Sequence, residues 1–255
     1  MIIDVNGFQL YFETRGDGAP LLDIGIGALE NAGFPVARIG MEDAKALGRE
    51  FFRWEMATAI AGSSLGVNPF DEPNVTEAKL ATSALLAQHA KEGQLPQPDP
   101  DGVCAPSDTD RIHQHLALAR PGDYLALCAY FLRTEMRDQL LTQMRVAFRD
   151  QTRIATTLGY GPRFLHSTGQ LHKGGANNGV FLQLTADVGQ DLPVPGESYT
   201  FATLRNAQAL GDLQVLRRRS RRALRVHLGN DIEGGLSQLA AVFEDLAKAR
   251  KTSPP

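Results

Sequence analysis

The chain has 255 residues, 43% of them hydrophobic and 22% charged, with a net charge of −3. That is the composition of an ordinary globular protein able to bury a sizeable core. The charge gives no electrostatic reason to expect a nucleic-acid or membrane-surface partner, no apolar run reaches the roughly 20 residues that span a bilayer, and the N-terminus lacks a signal-peptide pattern. The two cysteines, Cys104 and Cys128, have no metal-ligand spacing and read as buried reduced thiols of a cytoplasmic protein.

Residues 1–22 open with an atypical segment that resembles the first hairpin of α/β-hydrolases. Phe34 to Ile39 reads as a short strand. Leu47, Phe51, Trp54, Thr58 and Ala61 recur at helical spacing, which predicts a helix over 43–61 whose Phe51 and Trp54 stripe packs in a core. The segment Gly62 to Lys79, GSSLGVNPFDEPNVTEAK, combines a Gly-Ser-Ser loop, an Asn-Pro-Phe-Asp turn and a lysine that starts a second helix to Lys91. From Gly93 to Asp108 the prolines Pro96, Pro98, Pro100 and Pro106 mark a linker or surface loop and a domain boundary. His113 and His115 stand two apart without further ligands, so no metal site is expected there.

The second half, 109–248, begins with a strand at Asp123 to Phe131, apolar enough to be covered on both faces. A helix marked by Met136, Leu140, Met144 and Phe148 leads to a strand at Arg153 to Leu158. Gly159 to Gly179 then crowds glycines with Arg163, His166, Ser167, Thr168, Gln170, His172 and Lys173. Free backbone N–H groups, hydroxyls and cations are the parts of an anion-binding nest, and open α/β sheets bind ligands beyond the carboxyl ends of their strands. A strand at Gly179 to Thr185 and a helix from Thr203 to about Arg218 follow. The arginines of RRRSRR read as solvated surface, and Leu224, Val226 and Leu228 alternate with Arg225 and His227 as in a partly exposed strand. Leu236, Leu239, Phe243 and Leu246 close the domain with a helix, and 249–255 is a tail. Alternating strands and helices predict an α/β fold, a three-layer sandwich with a mainly parallel sheet.

The Gly62 to Lys79 segment resembles the C-terminal signature of phosphoglucose isomerases, with Gly62, Leu65, Phe70, Asp71, Val75, Thr76 and Lys79 at matching positions. Gly48 to Lys79, Arg163 to Asp187 and Leu192 to Leu216 together resemble the isomerase part of bifunctional transaldolase/phosphoglucose isomerases, over roughly residues 23–248. Departures are Glu72 and Asn74, where the family has glutamine and glycine or alanine, and a Gly-Gln-Leu-His segment downstream of the signature rather than upstream. The resemblance implies a sugar-isomerase (SIS) fold, with residues 23–92 contributing the lysine signature. It also implies interconversion of glucose 6-phosphate and fructose 6-phosphate in glycolysis, gluconeogenesis and the pentose phosphate pathway, without metal or organic cofactor. In that reading His172, or else His166, exchanges protons with the sugar ring oxygen, and Lys79 supplies fixed positive charge. Arg163, Ser167, Thr168, Gln170, Lys173, Ser63 and Ser64 contact phosphate and hydroxyls.

The family's glutamate base, in a Glu-Ser-(Asn/Thr)-Gly-Lys motif, does not occur in this sequence. Nor do the first SIS domain or the transaldolase barrel of the relatives, so the expectation is a C-terminal piece of a larger enzyme, with a homo-oligomer as a possible assembly. The alternative is a catalytically incompetent SIS module that binds a phosphosugar or a complementary domain. A remoter one is an α/β-hydrolase: Gly62-Ser63-Ser64-Leu65-Gly66 fits the nucleophile-elbow pattern, but a helix precedes the serine where a strand is needed.

Overall fold

A computed structural model describes residues 43–251, the strands 2–5 and 8–11, and positions 27, 30–33 and 36; side chains are described as far as 245. The expected strand at 34–39 lies almost wholly outside the described residues. The chain divides into two compact units, Met1–Asp71 and Glu72–Pro255. The division falls before the proline-rich stretch 93–108, which belongs to the second unit.

In the first unit β1 (Ile2–Val5) and β2 (Phe8–Tyr11) form an antiparallel hairpin, with Ile2 opposite Tyr11 and Val5 opposite Phe8. Helix α1 (Ala44–Leu65) is capped by Asp43, whose carboxylate accepts from the Ala46 N–H at 2.9 Å. It ends at Gly66, whose left-handed φ of 69° lets its N–H turn back onto the carbonyls of Gly62 and Ser63. The expected Gly-Ser-Ser loop is therefore the last turn of a helix. Gly62 is needed there because a Cβ would lie 2.7 Å from Cδ of Pro69. Ser63 and Ser64 are exposed on that turn, and Ser64 Oγ donates to the Ile60 carbonyl at 3.0 Å. The strand–turn–helix geometry of a nucleophile elbow is absent at Ser64. Phe51 is exposed rather than in a core, as are Phe52, Met56 and Ile60, while Trp54 is half-buried.

The second unit begins with α2 (Pro73–Glu92), where proline suits the first helical position, and Gly93 closes the helix with φ of 76°. After a 3₁₀ turn at Pro100–Gly102 come β3 (Val103–Cys104), α3 (Thr109–Leu116), β4 (Tyr124–Tyr130), α4 (Glu135–Thr152) and β5 (Ala155–Tyr160). A further 3₁₀ turn at Arg163–His166 precedes α5 (Gly169–Gly174), β6 (Gly179–Thr185), α6 (Phe201–Arg218), β7 (Arg222–His227) and α7 (Ile232–Lys251). The five strands β3–β7 form one parallel sheet in the order β3-β7-β6-β4-β5. The chain goes from β4 outward to β5, then crosses back over β4 to β6, so β4 and β6 flank the point where the order reverses.

Pleating sends alternate side chains to opposite faces. Leu125, Leu127 and Ala129 of β4, Val180, Leu182 and Leu184 of β6, and Leu224 and Val226 of β7 meet α3, α4 and α7 in the larger core. Ala126, Cys128, Tyr130 and Phe181 face the other way, with Phe164, Leu165, Ala209 and Leu216. Helices α2 and α6 pack closely: a Cβ on Gly211 would meet Thr82 Oγ1 at 3.1 Å. The result is helix–sheet–helix, the three-layer α/β sandwich expected. No described helix is long and apolar enough to cross a membrane.

Because Leu182 is fully buried at the centre of the sheet, Leu182→Ala is expected to lower unfolding free energy by about 2–5 kcal/mol, read from the midpoint of urea denaturation.

Candidate functional site

The Gly159–Gly179 segment does not stay at one end of the sheet. It leaves the carboxyl end of β5, descends through α5, and reaches the amino edge, where the Tyr124 N–H donates to the Asn178 carbonyl at 2.9 Å. Arg163, His166 and Ser167 are exposed near its start. Ser167 Oγ donates to the Phe164 carbonyl at 3.1 Å, and the half-buried Thr168 hydroxyl approaches the same carbonyl at 3.5 Å. Farther on, Arg221 Nη2 donates to the carbonyls of Lys173 and Gly175, each at 2.6 Å. The backbone at Lys173 and Gly175 turns carbonyl oxygens onto an arginine, the reverse of an anion nest.

Two residues expected to touch substrate point inward. His172 is 3% exposed, with its ring centroid 5.1 Å from that of Phe181, 5.7 Å from Phe164 and 6.0 Å from Tyr124. Burial, and secondarily the neighbouring Lys173 charge, pushes its pKa down to about 4. Lys173 has no exposed surface, and its Nζ stands 2.6 Å from Oδ1 of the equally buried Asp212. That approach is off the hydrogen-bond direction, so it counts as an ion pair only. Neither the His172 ring expected to exchange protons nor the Lys173 ammonium expected at phosphate lies on the surface of this structure.

Around that pair lies a polar group missed in the sequence. The Tyr130 hydroxyl donates to Asp212 Oδ2 at 3.2 Å, Arg225 Nε donates to Gln183 Oε1 at 2.7 Å, and Gln183 Nε2 donates to the Ala209 carbonyl at 2.9 Å. Burial raises the Tyr130 pKa, with Asp212 adding to the effect, and lowers that of Arg225 to about 10. Arg225 itself is buried, because β7 lies between β3 and β6, while the strand is partly exposed as expected, at Arg222, Ala223 and His227. The one available sequence signal was Asp212 itself, set among Ala209, Leu210, Leu213 and Leu216.

Other expected residues lie elsewhere. Lys79 is exposed on α2 with Nζ 3.6 Å from Glu72 Oε1, whereas His172 is buried. Ser63 and Ser64 belong to the first unit. Gln170 is brought onto the signature: its Oε1 accepts from the Asn74 backbone N–H at 3.1 Å and its Nε2 donates to Asn74 Oδ1 at 2.8 Å. Turned over, the Asn74 amide would instead present its oxygen to Arg219, with Nε at 3.1 Å. The arginines of RRRSRR are not merely solvated: Arg217 pairs with Asp99 at 2.8 Å, Arg219 with Glu77 at 2.7 Å and Arg222 with Asp123 at 2.6 Å.

No protein-family model and no curated protein matches the sequence. Among solved structures, there is similarity to a hypothetical protein from Thermus thermophilus, with 15% identity and a TM-score of 0.45. The match covers 55% of this chain and 39% of that one.

Removing Lys173 strands a buried carboxylate. Lys173→Met is expected to cost about 3–5 kcal/mol in denaturant unfolding, and the double variant Lys173→Met/Asp212→Leu to recover most of it.

His172 and His115 are both buried with pKa lowered from 6.5 to about 4. Between those values the unfolded chain binds more protons, so stability present above pH 6.5 is lost as pH falls toward 4. At pH 5 each histidine is expected to cost roughly 2 kcal/mol relative to pH 7, and His172→Gln to remove its own share of the slope in urea titrations at the two pH values.

Proposed function

We propose that the chain is an SIS-type module of a phosphoglucose isomerase, serving the interconversion of glucose 6-phosphate and fructose 6-phosphate in the cytoplasm. The observation that supports this reading is the Asn74–Gln170 bridge. It joins the first turn of the lysine-signature helix to the first turn of α5, so the two stretches that carry the family resemblance pack together. With His172 and Lys173 enclosed, the groups that remain available to a sugar phosphate are Arg163, His166 and Ser167, which are exposed, and Thr168, which is half-buried. Arg163 offers a planar charged fork for phosphate, and His166 an exposed imidazole on the same 3₁₀ turn.

Isomerisation also requires a base to move a proton between C1 and C2, and the sequence has no Glu-Ser-(Asn/Thr)-Gly-Lys segment to provide it. The second reading, a silent module that docks a complementary domain, is favoured by the apolar side chains exposed on α1. They border a depression of about 270 Å³ lined by Phe51, Trp54, Glu55, Thr58 and Phe70.

Calorimetric titration with fructose 6-phosphate, followed by a dehydrogenase-coupled isomerase assay, tests both readings. Binding that weakens severalfold in Arg163→Ala is expected, with turnover reduced by about 10²–10⁴ relative to an enzyme carrying its base. Binding with no turnover favours the silent module, and absence of binding defeats the phosphosugar reading.

A further inference from the structure

Strand β5 is one edge of the parallel sheet, bonded to β4 on one side only. Along a strand the backbone polar groups of successive residues alternate sides. The Gly161 N–H donates to the Ala129 carbonyl at 2.8 Å, so Gly161 and, in step with it, Gly159, Thr157 and Ala155 turn toward β4. Thr156, Leu158 and Tyr160 therefore turn their N–H and C=O groups outward. Arg145 Nη2 donates to the Thr156 carbonyl at 3.2 Å. Among the described residues nothing else meets these groups, so the backbone of Leu158 and Tyr160 is open on that side.

Sheet edges are ordinarily guarded by lysine, proline or a bulge. Ala155 to Tyr160, ATTLGY, carries no charge and no proline, and its register with β4 runs unbroken. What suits this edge is set by the charge on the adjoining helix. The Tyr160 hydroxyl donates to Asp138 Oδ1 at 2.5 Å, and Arg145 Nε donates to Thr156 Oγ1 at 3.4 Å, so α4 runs beside the edge. Helical spacing puts Asp138, Thr142, Arg145 and Arg149 on one stripe, with the acid at one end and the bases at the other. Arg145 has no carboxylate of its own. Burial and then the Arg149 charge lower its pKa, with nothing acidic to offset them.

A two-fold axis perpendicular to the sheet at Leu158 completes both patterns. It sets Leu158 opposite Leu158 and Thr156 opposite Tyr160, so every outward N–H finds a carbonyl. It keeps both α4 helices on one face and antiparallel, with the exposed Thr142 near the axis. Arg145, held at Thr156, then comes beside Asp138 of the other copy, held at Tyr160. Pairing in the parallel sense would put the two α4 helices on opposite faces and bring no such charges together. The antiparallel contact is also closed, leaving no second β5 edge to recruit further chains.

We propose that β5 is a self-association edge: two copies of this chain join β5 to β5, antiparallel about Leu158, into one continuous sheet, with Arg145 and Asp138 paired across the axis. The contact needs no ligand and does not depend on the phosphosugar reading.

Sedimentation equilibrium of the full chain measures the association, and amide hydrogen exchange by NMR locates it. A species of twice 27.7 kDa is expected, with exchange at Leu158 and Tyr160 slowing as protein concentration rises while amides of α1 keep their rates. Arg145→Glu and Asp138→Lys are each expected to raise the dissociation constant about tenfold, and the double variant to restore most of the affinity. Roles confined to the single chain would give no such rescue. Thr142→Arg, a change on exposed helix surface, is expected to weaken association as well by setting like charges at the axis, and it carries the test if the charge variants fail to fold. A chain that stays monomeric, or a dimer whose Leu158 and Tyr160 amides exchange as in the monomer, overturns the interface. So does a double variant no tighter than the single ones, or association indifferent to Thr142→Arg.

Discussion

Charge without water organises the second unit. Lys173 and Asp212 come from α5 and α6, and Tyr130, which reaches Asp212 from β4, ties that pair to the sheet. An ion pair in such a place adds little net stability over well-packed apolar side chains, but either half alone would be a severe defect. Its effect is one of geometry. The short helix α5 cannot slide or rotate without breaking the ion pair that compensates the buried Lys173 charge, and so the 3₁₀ turn before it and the glycine run after it are fixed as well.

This constraint decides what the histidine-bearing segment can do. Since α5 is anchored inside, His172 becomes part of an aromatic layer with Phe164, Phe181 and Tyr124. The polar groups left to the solvent are those at the segment's start. They belong to the carboxyl edge of a parallel sheet, where strand ends diverge and ligands find room. The amino edge is closed differently, by arginines that spend their donors on carbonyls and carboxylates of the same unit.

The architecture was largely legible in the sequence. Asp123 to Phe131 and Gly179 to Thr185 read as strands covered on both faces because nearly every side chain is apolar, and both are central strands. What failed to read were short elements with little periodicity: β3 at Val103–Cys104, α3, and α5 inside an apparent loop. Site residues fared worse, because polarity in sequence does not say which way a side chain points. Lys173 and Arg225 look like surface cations until the layers on both sides are in place. The open backbone groups of β5 gain meaning only through the register with β4, which settles the way each residue turns.

The amide bridge between Asn74 and Gln170 spans 96 positions of sequence. Closing so wide a loop is slow and entropically costly until the intervening sheet has formed. On the ribosome α2 emerges well before its counterpart on α5, and during that interval its inward face, Asn74, Val75, Ala78 and Leu85, has nothing of the second unit's later elements to rest on. The helix bearing the lysine signature is thus among the last parts of the unit to be seated, since its inward face is covered only once α5 and then α6 have been made.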